Sequence, residues 1–98
     1  MAEVKRTYYP TGELNSEVFV LNDKRNGEYK YYYENGQFKV TSMYIDGKKN
    51  GEDKSYHPNG QLYTICTYIN DKINGEYLKY NENGELIMQS SHYMTNPL

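Results

Sequence analysis

Short runs of alternating apolar and polar residues recur along the chain, and each run ends in a cluster of glycine, asparagine, aspartate or proline. The run from Phe38 to Ile45, rich in Val, Thr, Met, Tyr and Ile, is typical of a β-strand. No segment keeps the 3.6-residue apolar period of an amphipathic helix. We therefore expect an all-β protein with little or no helix.

The chain repeats itself with a period of 24 residues. Six kinds of residue return at this step: Gly12, Gly36, Gly60 and Gly84; Tyr8, Tyr32, Tyr56 and Tyr80; Leu14, Phe38, Leu62 and Leu86; Lys24, Lys48 and Lys72; Asn26, Asn50 and Asn74; Glu28, Glu52 and Glu76. Such self-similarity is the signature of a repeat architecture. We expect a single domain over 1–98, with repeats at about 5–28, 29–52, 53–76 and 77–93 and a tail at 94–98.

The segment around the first glycine of each repeat predicts a tight hairpin. Pro10 and Pro58 fix φ where a type I turn needs it, and the glycine two residues later closes a three-residue loop with a G1 bulge. This loop makes two repeated columns cross-strand neighbours: Tyr8 with Leu14, Tyr32 with Phe38, Tyr56 with Leu62, and Tyr80 with Leu86. Residues 46–51 are interpreted as a longer connection. Two strands per repeat predict a single-layer, twisted antiparallel meander of about four β-hairpin repeats.

Simple alternation divides the side chains between two faces of this sheet. A regular face, expected to be the packed one, would carry Tyr8, Leu14, Val18, Val20, Tyr32, Phe38, Val40, Tyr44, Tyr56, Leu62, Cys66, Tyr68, Leu78, Tyr80, Leu86 and Met88. A variable face would carry Tyr29, Tyr31, Tyr33, Met43, Ile45, Tyr63, Ile65 and Ile69 among Lys39, Asp53, His57 and Gln61. Variation within a fixed frame is typical of a binding surface in repeat proteins.

Tyrosine accounts for 13 of the 98 residues and compensates for a mean hydropathy of −1.01. Its ring buries apolar area while its hydroxyl stays at water, which suits a sheet with partly covered faces. The formal net charge of −2 disfavours nucleic acid as a partner. No apolar run approaches the length of a signal-peptide core or a membrane span, so we expect a soluble cytoplasmic protein.

No residues with the spacing of a catalytic, cofactor or metal site stand out, so we expect no enzyme and no cofactor. His57 and His92 fall in different columns and are expected on opposite faces, which disfavours a shared metal site. His57 stands where earlier repeats have tyrosine, and Cys66 is interpreted as a small core residue. The glutamate column beside the lysine column is interpreted as ion pairs between repeats.

Tyrosines are concentrated in the second repeat. We take Tyr29, Tyr31, Tyr33 and Tyr63 as candidate partner-binding residues, because tyrosine is enriched in the energetic hot spots of protein interfaces. An equally weighted alternative is that these tyrosines reflect only β-propensity on a half-covered sheet.

Two kinds of segment carry a family resemblance. One is Tyr32-Tyr33-Glu34-Asn35-Gly36-Gln37-Phe38, and the other is Lys48-Lys49-Asn50-Gly51-Glu52; both recur 24 residues later. With these segments the chain resembles, from about Lys5 to Tyr93, the MORN-like repeats of the YwqK-family antitoxins. The resemblance implies a bacterial or phage protein that binds and silences a protein partner. Lipid-tethering MORN repeats carry Tyr-x-Gly and His-Gly elements, which this chain replaces with Asn-Gly.

These observations predict a noncatalytic protein-binding repeat module that neutralises or scaffolds a partner protein. The partner would be a toxin or a defence enzyme, with the chain acting as an antitoxin or as a phage inhibitor of a bacterial enzyme. The alternative is a peripheral tether that binds anionic lipid. The unpaired terminal strands also predict a homodimer, formed by edge pairing or by stacking of one face.

Overall fold

The computed structural model describes residues 2–93, which form one open antiparallel sheet. Its strands are β1 (Ala2–Tyr8), β2 (Leu14–Leu21), β3 (Lys24–Tyr32), β4 (Phe38–Ile45), β5 (Lys48–Lys49), β6 (Gly51–Tyr56), β7 (Leu62–Ile69), β8 (Lys72–Ile73), β9 (Gly75–Tyr80) and β10 (Leu86–His92). The sheet order is β1-β2-β3-β4-β6-β7-β9-β10, with β5 paired to β4 and β8 paired to β7. The Cα atoms span 50 × 40 × 12 Å, so the sheet is a single layer. The predicted all-β meander of hairpin repeats is confirmed, and none of the described residues is helical.

The first glycine of each repeat closes the predicted three-residue loop. The Tyr33 amide donates to the Gln37 carbonyl at 2.8 Å, and the Gly36 amide donates to the Tyr33 carbonyl at 3.0 Å. Gly36 has a φ of 88°, a left-handed conformation that costs glycine little. The loops at 9–13, 57–61 and 81–85 repeat both bonds. All four predicted pairs between the tyrosine column and the apolar column are therefore present.

The predicted longer connection at 46–51 is wrong. Asp46 and Gly47 have φ values of 49° and 83°, the positive pair of a type I′ turn, so two residues suffice to reverse the chain. Pairing resumes at once in β5 and is then interrupted at Asn50, whose amide donates to the Met43 carbonyl at 2.9 Å. The Asn-Gly pair that follows the lysine is thus a bulge inside a strand, with Gly51 at a φ of 119°.

A second irregularity in every repeat shifts the alternation of side chains by one residue. Tyr32 pairs with Phe38 but Tyr31 pairs with Val40, which leaves Lys39 as an extra residue in β4. The equivalent extra residues are Asn15, Tyr63 and Ile87. Because paired residues share a face, the predicted division of side chains is wrong beyond each of these bulges.

We name the two faces after a residue near the middle of each. The Phe38 face carries Tyr8, Leu14, Tyr32, Phe38, Tyr56, Leu62, Leu78, Tyr80 and Leu86 as predicted, and also Met43, Ile45, Ile65 and Ile69, which were predicted for the other side. The Cys66 face carries Val18, Val20, Val40, Tyr44, Cys66, Tyr68 and Met88, which were predicted to lie with Phe38. The Cys66 face also carries seven residues that were predicted for the variable face: Tyr29, Tyr31, Tyr33, Lys39, Asp53, His57 and Tyr63.

The core lies on the Cys66 face and is built from small residues. Ser42 and Cys66 each keep 4% of their surface exposed, and they are the two buried residues of the described chain. Tyr29 stands across from Ser42, and Tyr68 lies against the Cys66 thiol. A single-layer sheet can bury only those small side chains that neighbouring rings cover. Cys66 is such a side chain, so the prediction that it is a small core residue is confirmed.

One column of side chains ties each repeat to the next. Its three bonds run from the Tyr9 hydroxyl to the Tyr32 carbonyl at 2.5 Å, from the Tyr33 hydroxyl to the Tyr56 carbonyl at 2.7 Å, and from His57 Nε2 to the Tyr80 carbonyl at 2.9 Å. A carbonyl only accepts, so Nε2 carries the donated proton of His57. The replacement of tyrosine by His57 is thus confirmed as a structural equivalence.

Candidate partner-binding surface

The four candidate tyrosines lie together on the Cys66 face. Within β3, Tyr29 faces Val18 and Ser42, while Tyr31 faces Ser16 and Val40. These small or narrow neighbours leave room for aromatic rings to lie over them. Tyr33 and Tyr63 are joined to the same surface by contacts with basic side chains. The grouping of the four residues is therefore as predicted, although the apolar neighbours predicted for them lie on the Phe38 face: Met43, Ile45, Ile65 and Ile69.

Arg25 binds two of the rings near one end of β3. Its Cζ lies 5.0 Å from the Tyr29 ring centroid and 5.3 Å from that of Tyr44, and its Nη1 donates to the Tyr44 hydroxyl at 3.3 Å. Tyr29 and Tyr44 meet edge to face at 6.3 Å, and the Tyr31 ring lies 6.5 Å from Tyr29. Such contacts contribute roughly 0.5–1.5 kcal/mol each, so the rings are held in place.

Two lysines hold rings further along the surface. Lys39 Nζ lies 5.0 Å from the Tyr31 centroid and 5.5 Å from the Tyr33 centroid. Lys79 Nζ lies 5.1 Å from the centroid of Tyr63, whose ring is 4.4 Å from the His57 imidazole. The surface is therefore a series of aromatic rings, each with a cation at its face.

The middle of this surface is internally neutralised. Lys49 Nζ lies 4.8 Å from the Tyr68 centroid and 3.3 Å from Asp53 Oδ1, and the Ser42 hydroxyl also donates to Asp53. Burial by itself lowers the pKa of Lys49, but Asp53 and the neighbouring Tyr68 and Tyr44 together outweigh it and the pKa is raised. Burial and the charge of Asp53 raise the pKa of the Cys66 thiol, which is therefore neutral at pH 7.

The sequence of turns, bulges and tyrosines agrees with a known repeat family. The profile of the MORN repeat variant matches residues 4–22, 25–46, 49–70 and 73–93. The chain belongs to the MORN repeat variant family. No curated protein and no solved structure matches it. The breaks between the matched segments fall at the three two-residue turns, so each MORN repeat runs from one such turn to the next.

The candidate tyrosines of this MORN repeat protein use their hydroxyls differently. The Tyr33 hydroxyl is committed to the Tyr56 carbonyl in the next repeat. Within residues 2–93, by contrast, the hydroxyls of Tyr31 and Tyr63 have no protein hydrogen-bond partner. Tyr33 therefore links two repeats, whereas the hydroxyls of Tyr31 and Tyr63 take no part in such a link.

Sequence reasoning missed part of the surface. Tyr44 and Tyr68 were predicted for the opposite face, because the alternation was continued through the bulges at Lys39 and Tyr63. Arg25 was not among the residues predicted for this surface. The signal that finds these residues is the bulge itself, after which the alternation restarts one residue later.

In the body of the strands, the basic residues on the Phe38 face are paired with glutamates. Arg6 Nε lies 2.8 Å from Glu17, Lys30 Nζ lies 3.9 Å from both Glu17 and Glu28, and Lys54 Nζ lies 3.3 Å from Glu52. The prediction that the glutamate column pairs with the lysine column was therefore wrong. Lys24, Lys48 and Lys72 instead flank the two-residue turns.

The histidines also differ from the prediction. His92 pairs with Gly75 as Tyr68 pairs with Gly51, so His92 lies on the Cys66 face with His57 and not opposite it. Among residues 2–93, no three side chains of His, Cys, Asp or Glu converge as a metal site requires.

In the same residues there is no helix with the length and apolar character needed to cross a membrane.

Proposed function

We propose that this MORN repeat protein is a noncatalytic module that neutralises or scaffolds a protein partner, and that it binds the partner through the Cys66 face. The observation that carries the proposal is the array of tyrosine rings and basic side chains on that one face. Tyrosine and arginine are the residue types enriched at the centres of protein interfaces. The Phe38 face also carries tyrosines, among them Tyr32 and Tyr56, but the cations in the body of its strands, such as Arg6 and Lys30, are paired with glutamates.

The order of the array supports the same proposal. A free tyrosine side chain loses rotamer freedom when a partner binds it, at a cost of about 0.5–1.5 kcal/mol per side chain. Here the cations already hold Tyr29, Tyr31 and Tyr63 at defined distances. A partner would therefore meet rings that are largely ordered beforehand.

The finer role, as a cytoplasmic antitoxin or a phage inhibitor of a bacterial enzyme, rests on the resemblance to YwqK-family antitoxins. Genomic neighbourhood separates the two forms, since a toxin gene beside this gene favours the antitoxin and a cluster of phage early genes favours the inhibitor. Co-expression with the neighbouring toxin then gives a direct readout. Restored growth with the wild type and lost protection with Tyr31→Ala/Tyr63→Ala would support this role.

The surface itself is tested by site-specific crosslinking. A photoreactive amino acid replaces Tyr63 on the Cys66 face or Tyr8 on the Phe38 face, in cells that naturally express the protein. We expect a discrete adduct with a different protein from position 63, and from position 8 no adduct other than one between two copies of the chain. Tyr31→Ala/Tyr63→Ala should abolish pull-down of that protein, while the matched pair Tyr8→Ala/Tyr80→Ala should not. Retained binding in the first pair would rule out the Cys66 face.

A second candidate function is a peripheral tether on anionic lipid. It is favoured by Arg25, Lys39 and Lys79, whose charges face solvent on a flat sheet without carboxylate partners. Flotation with phosphatidylserine vesicles tests this function, because binding by a few cations must weaken as salt is added. Absence of salt-sensitive flotation would dispose of it.

A further inference from the structure

The two faces of the sheet treat their cations differently. On the Phe38 face, Arg6, Lys30 and Lys54 in the body of the strands each lie within 4.0 Å of a glutamate. On the Cys66 face, Arg25, Lys39 and Lys79 have no carboxylate within that distance among residues 2–93, and each lies over a tyrosine ring instead. In the body of the strands, the face proposed for binding is thus the one whose cations, Lys49 apart, lack a carboxylate partner. On the Phe38 face the lysines outside these pairs, Lys24, Lys48 and Lys72, flank the two-residue turns.

The acidic residues show the same asymmetry. In the described part of the interior strands, Asp53 is the one carboxylate of the Cys66 face, and it is occupied by Ser42 and Lys49. Glu3 adds a second carboxylate only at the outer strand β1, where it pairs with Val20. The interior strands therefore place more positive than negative charge on the Cys66 face, although the whole chain has a net charge of −2.

A cation on an aromatic ring can still accept an anion from the solvent side. The ring covers one side of the ammonium or guanidinium group and fixes its position, but supplies no hydrogen-bond acceptor of carboxylate strength. A partner carboxylate can bind such a group without first displacing a glutamate, as it would have to do on the Phe38 face. The tyrosine hydroxyls of Tyr31 and Tyr63 lie beside these cations and can donate to the same carboxylates.

We infer that the Cys66 face binds a carboxylate-rich segment of a protein, with Arg25, Lys39 and Lys79 as the anion-binding side chains. This inference rests on the proposed function and specifies the chemistry of the partner. Aromatic rings lie between the three cations Arg25, Lys39 and Lys79. This arrangement is complementary to a peptide in which aspartate and glutamate alternate with apolar side chains. The three cations are fewer than the clusters of four to eight basic residues with which proteins bind acidic lipid. The net negative charge of the chain also opposes approach to a uniformly anionic surface of membrane or nucleic acid.

The test begins with a displayed library of short random peptides selected on the wild-type protein. We expect the selected sequences to be enriched in aspartate and glutamate and to bind more weakly as salt is raised. Labelled synthetic copies are then titrated against Lys39→Gln/Lys79→Gln and against the matched control Lys30→Gln/Lys54→Gln. We expect about tenfold or greater loss of affinity in the first pair, which removes cations that contact the ligand, and little change in the second. Circular dichroism of each variant verifies that the sheet is folded.

Each contrary outcome has a distinct meaning. In the first, the selected peptides show no enrichment in acidic residues, and their binding is lost in the Tyr31→Ala/Tyr63→Ala protein but kept in Lys39→Gln/Lys79→Gln. That outcome overturns this inference, while the proposed protein-binding face stands. Peptides unaffected by both pairs overturn the inference and the proposed face together. Failure to select any peptide, or binding only to phosphatidylserine vesicles, also overturns it.

Discussion

Tyr31 and Tyr33 are two residues apart and point to the same face, yet their hydroxyls have different roles. The Tyr33 hydroxyl donates to a backbone carbonyl in the next repeat, while that of Tyr31 has no acceptor within residues 2–93. The difference arises because Tyr33 lies just beyond the end of β3, at the level where the neighbouring strand also ends. At the scale of single residues, position relative to the turn decides whether a tyrosine hydroxyl links two repeats.

Glycine at the end of each three-residue loop is required for its backbone conformation. Gly36 has a φ of 88°, and a Cβ built on it meets no atom within 4 Å, so a side chain there is opposed by backbone strain alone. Gly36→Ala should lower the free energy of unfolding by about 1–2 kcal/mol. Gly36→Asn should cost less, because asparagine enters the left-handed region more readily. Urea denaturation measures both, and equal stability of Gly36→Ala and wild type would contradict this account.

Ionisation of the Cys66 face should weaken the fold at alkaline pH. Burial raises the pKa of Tyr29, of Tyr68 and of the Cys66 thiol, so the folded state favours their protonated forms. Their contribution to stability is complete below the ordinary pKa values of cysteine and tyrosine, about 8.5 and 10, and is lost as pH rises through the raised values. The urea midpoint should therefore fall from about pH 8.5 upward.

Phenylalanine variants separate this ionisation from other alkaline effects. Tyr29→Phe/Tyr68→Phe keeps the rings but removes two titrating hydroxyls, so its midpoint should fall less steeply with pH than that of the wild type. Parallel curves for the two proteins would show that these tyrosines do not govern the alkaline limit.

At the scale of elements, each repeat is a pair of strands joined by two different turns. The three-residue loop was predictable because its proline, asparagine and glycine act locally, within five consecutive residues. The two-residue turn was not recognised, because Asp46-Gly47 and Asn50-Gly51 both have the composition of a turn. Strand pairing decides between them, since only the first pair reverses the chain and the second interrupts a strand already paired with β4.

The links between repeats should contribute measurably to stability. Tyr33→Phe removes the donor of a partly buried 2.7 Å bond and leaves the Tyr56 carbonyl without it. We expect a loss of about 0.5–1.5 kcal/mol in the free energy of unfolding, the usual net value of one hydrogen bond. Tyr31→Phe is the matched control, because the Tyr31 hydroxyl has no protein acceptor in the described chain and its removal should be nearly neutral. Chemical denaturation that finds the two variants equally stable would refute the role of this link.

At the scale of the whole molecule, a sheet 12 Å thick leaves apolar side chains exposed on one side. Ile45 and Leu86 on the Phe38 face are 53% and 50% exposed, and Phe38, Met43 and Ile69 are also exposed. Sheets normally cover such a face with a second layer. The cations in the body of these strands are paired with glutamates, and Lys24, Lys48 and Lys72 lie at the turns, so a largely apolar and neutralised surface remains for a second copy of the chain.

We therefore expect a dimer that stacks the Phe38 faces and leaves the Cys66 faces outward. Light scattering at high micromolar concentration should give twice the 11.6 kDa mass of the chain. Phe38→Lys/Ile45→Lys should return the mass to that of the monomer, because two charges would have to be buried in the interface. Lys5→Pro, which blocks the outer strand β1, should leave the dimer intact. A wild-type mass of 11.6 kDa would contradict dimerisation, and a monomeric Lys5→Pro variant would assign it to edge pairing.

The sequence by itself determined what depends on neighbouring residues: the 24-residue period, the three-residue loops, the pairs such as Tyr32 with Phe38, and the grouping of Tyr29, Tyr31 and Tyr33 along one strand. Only the tertiary structure decided which face Val40, Tyr44 and Tyr68 occupy. One extra residue at Lys39 or Tyr63 moves the side chains in the rest of that strand to the opposite face. The tertiary structure also placed Lys39 and Lys79 over the rings of Tyr31 and Tyr63, since each of these contacts joins residues from different strands. Alternation within a strand is a local property, whereas register between strands is set by hydrogen bonds to a partner distant in the chain.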